Sequence, residues 1–157
     1  MIYNTLNQLN QALPAKGRIM ALDVGTKKIG VAISDIDRNI ASPKLTILRK
    51  SNQKDFVVLE EFIRESNIVG IVIGLPLNMD ETESKMSEFV RRFADNFDKF
   101  LPNLPIGFCD ERLSSFAAED ILNEKIPVKN NKKKMLVDQI AAAVILNLAL
   151  KDLKLNQ

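Results

Sequence analysis

One continuous apolar run, Ile68–Gly74, constrains the fold of this 157-residue chain more than any other segment. Its sequence, IVGIVIG, places apolar side chains on both faces of a strand. A strand of this kind belongs in the middle of a sheet that is covered on both sides. The sequence therefore predicts an α/β domain in which helices pack on both faces of a sheet.

The segments around this run predict the other elements of that domain. Two apolar runs, Arg18–Val24 and Ile29–Ser34, flank the glycine-led spacer Gly25–Lys28, which is typical of an antiparallel hairpin. A third strand is predicted at Lys44–Arg49, because Pro43 suits the start of a strand better than its interior. The order of elements predicts a mixed five-stranded sheet, with three antiparallel strands followed by two parallel ones. The later predicted elements are a helix from Asn52 or Gln53 to Ser66 capped by Asn52, a helix capped by Asp80 or Thr82, a strand at Ile106–Cys109, and helices at Ser115–Asn123 and Lys132–Leu150.

The chain divides into a short extension, one domain and a tail. Apolar residues recur at helical spacing from Ile2 to Leu13, and Pro14 would end that helix. We therefore interpret residues 1–16 as a helical N-terminal extension, 17–152 as a single domain and 153–157 as a tail. No membrane-spanning run and no basic, apolar leader is apparent, so we expect a cytoplasmic protein that does not enter a membrane.

Composition narrows the chemistry available to the chain. There is no histidine, and Cys109 is the single cysteine, so neither an internal disulfide nor a zinc-type ligand set is available. Lack of histidine also counts against hydrolysis by the familiar serine or cysteine triads. A metal site would have to be built from oxygen ligands, which favours Mg²⁺ or Mn²⁺. The net charge of +2 neither demands nor excludes a polyanionic partner.

Carboxylates at the ends of two predicted strands are candidates for such a site. Asp23 ends the first strand on the same face as Ile19 and Ala21, so its charge sits against apolar surface and favours a nearby cation. The ordinary alternative is a turn residue before a glycine. Asp110 and Glu111 follow another strand, where a surface ion pair is the alternative. Strand alternation puts them on opposite faces, so at most one turns towards a shared site, and the pattern does not say which.

A third candidate, Asp138, lies on a predicted helix. Its own face continues through Ala141, Ala142 and Ile145, which indicates that the carboxylate is buried. A buried carboxylate costs several kcal/mol unless it is paired or bound to a metal. A structural role would therefore require a specific basic or backbone partner for Asp138.

Basic and polar residues near these acids are candidates for contacts with phosphate. The Thr26 hydroxyl and the backbone amides around Gly25 are suited to a phosphate group. Lys132, Lys133 and Lys134 stand at the start of a helix, where the macrodipole disfavours cations and an anionic partner would compensate. A solvated charge run is the ordinary alternative for these lysines.

Together, four blocks of the chain resemble the YqgF/RuvX family of pre-16S rRNA nucleases, also described as Holliday junction resolvases, which have a ribonuclease-H-like fold. The resemblance extends from about Arg18 to Leu150, and four blocks in order are specific where one alone would be weak. In this chain Glu81 replaces the glycine that the family usually has after Asp80. The blocks are Ala21–Ala32, Val72–Asp80, Asp110–Ser114 and Val137–Ala142.

The resemblance implies hydrolysis of a phosphodiester, in processing the 5′ end of pre-16S rRNA or in resolving branched DNA. It implies that Asp23, Asp138 and one of Asp110 and Glu111, with Glu111 preferred, hold Mg²⁺ or Mn²⁺. Arg112, Lys27 and Lys28 are then candidates for substrate contacts. Two other readings stay open: a non-catalytic RNA-binding assembly factor, and an ATP-binding relative of the actin fold. The oligomeric state is not fixed by the sequence, and a homodimer is compatible with it.

Overall fold

The structure, a computed structural model, describes residues 1–80, 82–111 and 130–155, with side chains from 136 to 154 in the last range. Within these ranges, six strands form one sheet in the order β1-β6-β5-β2-β3-β4. The strands are β1 (Ile2–Tyr3), β2 (Arg18–Val24), β3 (Lys28–Ser34), β4 (Ala41–Leu48), β5 (Ile68–Leu75) and β6 (Ile106–Asp110). The helices of the described ranges are α1 (Leu6–Ala12), α2 (Asn52–Ser66), α3 (Lys85–Phe100) and α4 (Asn130–Leu155).

The interior position predicted for β5 is confirmed. The strand lies between β6 and β2 and is parallel to both. The antiparallel β2–β3 hairpin is also confirmed, with Val24 opposite Ile29. The prediction of five strands is wrong by one, because the two residues of β1 add a parallel edge strand to β6. Two residues are too few to carry a strand pattern, so the sequence gives no sign of β1.

Helices cover both faces of the sheet, as predicted. Met20 and Leu22 of β2 face α2 and α3 and join their phenylalanines in one core cluster. Ile19 and Ala21 face the opposite side, where α1 and α4 close a second core. Because side chains alternate along a strand, Asp23 continues the face of Ile19 and Ala21 and points towards α4.

The third strand begins earlier than predicted. β4 includes Pro43, which the sequence analysis placed before the strand. Proline lacks a backbone N–H, but β4 is the last strand of the sheet and has a neighbour on one side only. The register shifts at Val31/Ala32 of β3, opposite this proline. An edge position and a bulge together accommodate the proline.

Both predicted N-caps are wrong. Ser51, rather than Asn52, caps α2, and its side chain accepts a hydrogen bond from the third amide of the helix. Ser84 caps α3 in a reciprocal capping box. Asp80 instead accepts hydrogen bonds from the backbone and the hydroxyl of Thr82, at 3.1 and 2.6 Å, within the preceding loop. None of the described helices has the length and apolar character needed to cross a membrane.

Candidate active site

Two carboxyl groups meet where the parallel strands β2, β5 and β6 end. Asp23 is the penultimate residue of β2, and Glu111 directly follows β6. The backbone N–H of Glu111 donates to the carbonyl of Leu75 at 3.3 Å, which continues the pairing with β5. A side-chain hydrogen bond joins Glu111 to Asp23. The carboxyl edge of the sheet therefore brings together two acids that are distant in sequence.

Gly74 gives the side chain of Glu111 room to cross the sheet. It lies on β5, the strand between those that carry the two acids. A Cβ at Gly74 would be 2.8 Å from Oε2 of Glu111 and 2.6 Å from Cδ1 of Ile145. Any larger residue would compete with the carboxylate for that space. A glycine inside a strand is a general sign of close approach, but the sequence does not show that the approaching group at Gly74 is the Glu111 carboxylate.

Gly30 allows the helix that carries Asp138 to approach strand β3 closely. It is the direct cross-strand partner of Asp23 in the β2–β3 hairpin. A Cβ at Gly30 would be 1.9 Å from the backbone oxygen of Asp138 and 2.3 Å from its carbonyl carbon. The backbone of α4 thus rests on the bare backbone of β3, one strand from Asp23. This close approach brings Asp138 to the same edge of the sheet. The sequence predicts no role of this kind for Gly30.

The two aspartates, Asp23 and Asp138, lie in surroundings that oppose negative charge. The pKa of Asp23 is raised to about 6: burial raises it most, the hydrogen bond from Glu111 lowers it, and the charge of Asp138 raises it further. Burial also raises the pKa of Asp138, whereas Lys28 lowers it. The Nζ of Lys28 lies 3.8 Å from Oδ2 of Asp138, and both side chains are partly exposed. This long contact offsets the charge of Asp138 only in part, since the net shift is still upward.

The side chains of the three acids are not arranged as a finished metal site. Across residues 1–80, 82–111 and 130–155, no three acidic or cysteine side chains are arranged to hold a metal ion. Asp23 and Glu111 bond to each other, and Asp138 contacts Lys28. For an ion to bind all three acids, the Asp138 carboxylate would have to exchange its contact with Lys28 for one with the ion. The donor set itself, oxygen ligands in a partly buried cluster, suits Mg²⁺ or Mn²⁺.

Of the two acids at the end of β6, Glu111 is the one that contacts Asp23. Asp110 is exposed at the end of the strand, whereas Glu111 is partly buried against Asp23. In the hairpin turn, Thr26 and Lys27 are exposed and Lys28 is partly buried. The turn thus carries a hydroxyl and two ammonium groups beside the acids.

Several predicted features lie outside the described residues. These features are the substrate contact of Arg112, the loop at Glu81 and the helix at Ser115–Asn123. All three stay predictions. Lys132, Lys133 and Lys134 lie in the first two turns of α4, but the structure describes only their backbone. Their contact with a nucleic acid also stays a prediction.

Comparison with known proteins identifies the family. A family model described as "RuvX: Holliday junction resolvase" matches residues 17–152. A protein of Cereibacter sphaeroides (strain ATCC 17025) named "Putative pre-16S rRNA nuclease" is 43% identical over 146 residues, which cover 93% of this chain and 90% of that protein. A protein of the same name from Rhodobacter capsulatus is 43% identical over 150 residues, covering 96% and 93%.

Among solved structures, RuvC of Thermus thermophilus in complex with a Holliday junction substrate aligns with a TM-score of 0.48. The identity is 9%, and the alignment covers 84% of this chain and 96% of that one. The family assignment depends on the sequence relatives and on the family model, which covers all the described strands except β1. The chain belongs to the RuvX family and has the ribonuclease-H-like architecture expected of it, with one added edge strand.

Proposed function

We propose that this chain is a nuclease that hydrolyses phosphodiester bonds in structured nucleic acid, with the 5′ end of pre-16S rRNA as its substrate. The observation that carries the proposal is the approach of Asp23, Glu111 and Asp138 at one edge of the sheet. The names of the sequence relatives support the choice of substrate. On this proposal the protein acts in the cytoplasm, where precursor rRNA is made and processed in bacteria.

Asp23, Glu111 and Asp138 are the residues that would hold Mg²⁺ or Mn²⁺. Such an ion would supply Lewis-acid stabilisation of the charge that develops at a phosphodiester during hydrolysis. Negative charge is crowded at these acids, and a raised pKa at both aspartates means that their ionised forms lack compensation. A divalent cation would supply that compensation, so metal binding and ionisation of the acids should promote each other.

The protein's own groups would orient the substrate. Lys28 stands beside Asp138, and Thr26 and Lys27 project from the same turn into solvent. These groups can contact phosphate oxygens while the acids act on the neighbouring bond. A hydrogen bond between two carboxyl groups needs a proton on one of them, so the bond from Glu111 orients the Asp23 carboxyl group only until both acids ionise to hold the ion. Above about pH 6, Asp23 is mainly ionised and able to act as a ligand.

The proposal is tested by cleavage of labelled pre-16S rRNA with Mg²⁺, Mn²⁺ or EDTA. Wild-type protein should cleave with either ion and not with EDTA. Asp23→Asn and Asp138→Asn should each reduce cleavage by at least about 100-fold, since loss of even an outer partner of a metal site costs 10–100-fold. Asp95→Asn is the matched control, because Asp95 is an exposed aspartate of α3. Cleavage that ignores chelation, or that survives both site substitutions, would contradict the proposal.

A second substrate, the four-way DNA junction, is favoured by the description of the matching family model. The same experiment with a labelled junction separates the two functions. Cleavage of the junction with no cleavage of precursor rRNA would replace the rRNA proposal with a role in resolving branched DNA. Metal-independent RNA binding without cleavage would instead favour an assembly factor, and calorimetric ATP binding without cleavage would favour the actin-like alternative.

A further inference from the structure

The turn that follows Asp23 is bonded by one residue from outside the site. The hairpin turn, Gly25–Lys28, is closed by a hydrogen bond from the Gly25 amide to the carbonyl of Lys28 at 2.8 Å. Arg49, the residue after β4, donates its backbone N–H to the carbonyl of Lys27 at 2.9 Å. Its Nη1 donates to the carbonyl of Gly25 at 3.3 Å. Arg49 therefore bonds two carbonyl groups of the turn at once.

The guanidinium of Arg49 is itself held in place. Its Nε donates to Oδ2 of Asp55 at 3.1 Å, and its Nη2 donates to Asn52. The group lies over the rings of Phe89 and Phe93, at 5.6 and 5.2 Å from their centroids. The side chains of Arg49 and Asp55 are only 11% and 3% exposed. Helices α2 and α3 thus fix a cation that reaches the edge of the candidate site.

Stability alone does not account for this arrangement. A buried ion pair is costly to desolvate, and a well-packed apolar pair often stabilises a core equally well. An apolar pair would, however, leave the Gly25 carbonyl without its guanidinium donor. The distinctive contribution of the pair is thus the placement of the turn, which carries Thr26, Lys27 and Lys28.

We propose that Arg49, held by Asp55, is a positioning residue that fixes the hairpin turn beside Asp23. Fixing the turn keeps Lys28 against Asp138 and sets the direction in which the exposed groups of the turn meet a substrate. The effect on cleavage depends on the proposed nuclease function. The effect on the turn does not, and the two are measured separately.

The test uses a double substitution that removes the polar bonds while sparing the core. Arg49→Met with Asp55→Leu removes both charges together, so neither charge is left buried and unpaired. The backbone N–H of Lys50, an exposed residue, also loses its bond to Asp55 in this variant. Arg49→Lys is the second variant. It keeps the charge beside Asp55, but a compact ammonium cannot reproduce the planar fork that also reaches Asn52 and Gly25.

Arg91→Met is the matched control. Arg91 is also paired with a carboxylate, Glu83, and lies over an aromatic ring, that of Phe108, at 4.9 Å. Within the described part of the chain, the hydrogen bond and the ring contact of the Arg91 side chain involve Glu83 and Phe108 and no residue of the hairpin turn. Each full-length variant is measured for its urea midpoint, for kcat and KM of rRNA cleavage, and for hydrogen exchange of the Gly25 amide.

We expect the double variant to keep a urea midpoint close to that of the control. Its kcat should fall roughly 10- to 100-fold, as misplacement of a supporting group does. KM should change less than kcat, since Thr26, Lys27 and Lys28 are all kept and only the direction in which the turn presents them changes. Exchange at Gly25 should accelerate in the double variant and not in Arg91→Met. Unchanged kcat and unchanged exchange in a stable double variant would overturn the proposal.

Two further outcomes are also decisive. If the double variant does not fold, Arg49→Lys is judged by the same readouts, with the same loss expected and the same unchanged values overturning the idea. If wild-type protein cleaves neither rRNA nor DNA junctions, the nuclease proposal fails by itself. Exchange at Gly25 then decides alone: acceleration supports the positioning role of Arg49, and wild-type protection overturns it.

Discussion

Substitution of Gly30 by alanine probes the contact that brings Asp138 to the candidate site. The added Cβ would lie 1.9 Å from the backbone oxygen of Asp138. An ordinary carbon–oxygen contact is about 3.3 Å, so that oxygen would have to recede by roughly 1.4 Å (3.3 − 1.9). A backbone oxygen cannot swing aside as a side chain can, so the helix around Asp138 must move. Gly30 has an ordinary strand backbone, so the effect would be steric rather than conformational.

Two magnitudes follow from that displacement. Overpacking of this kind costs about 1–3 kcal/mol of stability, which a urea titration measures directly. Misplacement of a reacting group by about 1 Å costs about 100-fold in rate, which rRNA cleavage measures under conditions where both proteins are folded. Gly30→Ala should therefore lose far more activity than its loss of stability would explain.

Gly70→Ala is the matched control for this experiment. It is the same substitution in the same sheet, but its Cβ would meet Cδ2 of Leu13 at 2.3 Å, the far end of a flexible side chain. Leu13 can rotate away, so cleavage should stay near the wild-type rate. If Gly30→Ala kept both wild-type stability and wild-type cleavage, the close contact between α4 and Gly30 of β3 would be refuted. Equal losses in the two variants would refute the special role of Gly30.

Three other predictions concern the acids and Lys28. Gly74→Ala should displace the Glu111 carboxylate. The cleavage rate should then fall by more than the loss of stability, measured as a lower urea midpoint, would explain. Because the pKa of Asp23 is raised to about 6, its contribution to stability is full below about pH 4 and is lost as the pH rises to about 6. Asp23→Asn should therefore stabilise the metal-free protein increasingly across that interval, as seen by urea unfolding in EDTA. Wild-type cleavage should rise over the same interval. Lys28→Met should raise the pKa of Asp138 further, measured by carboxyl NMR, because Lys28 lowers it.

Much of the fold could be predicted from local patterns. The run Ile68–Gly74 has no polar face, so it required an interior strand, and β5 is one. The spacer Gly25–Lys28 marked a hairpin, since glycine permits a tight turn between apolar runs. Strand β1 could not be predicted, because it exists only through its pairing with β6. The predicted caps were wrong because serine, threonine, asparagine and aspartate all suit an N-cap, so residue type alone does not say which of several neighbours begins the helix.

The candidate site was predictable in its residue types more than in its geometry. Strand alternation puts Asp110 and Glu111 on opposite faces but did not say which of them turns towards the site, because β6 ends at Asp110 and the pattern stops there. Glu111 turns inward because Gly74, on the neighbouring strand, leaves space for its carboxylate. No local pattern connects those two positions. Lys28 was predicted as a substrate contact only. Its contact with Asp138 could not be predicted from a local pattern, because Asp138 lies on a helix more than a hundred residues further along the chain.

The central claim is that these three distant acids form one cation site, and diffraction from crystals grown with Mn²⁺ tests it most directly. An anomalous difference map should show a peak in contact with carboxylate oxygens of Asp23, Glu111 and Asp138, with the Asp138 side chain turned away from Lys28. A map from crystals saturated with Mn²⁺ that shows no peak there, with Asp138 still against Lys28, would contradict the account.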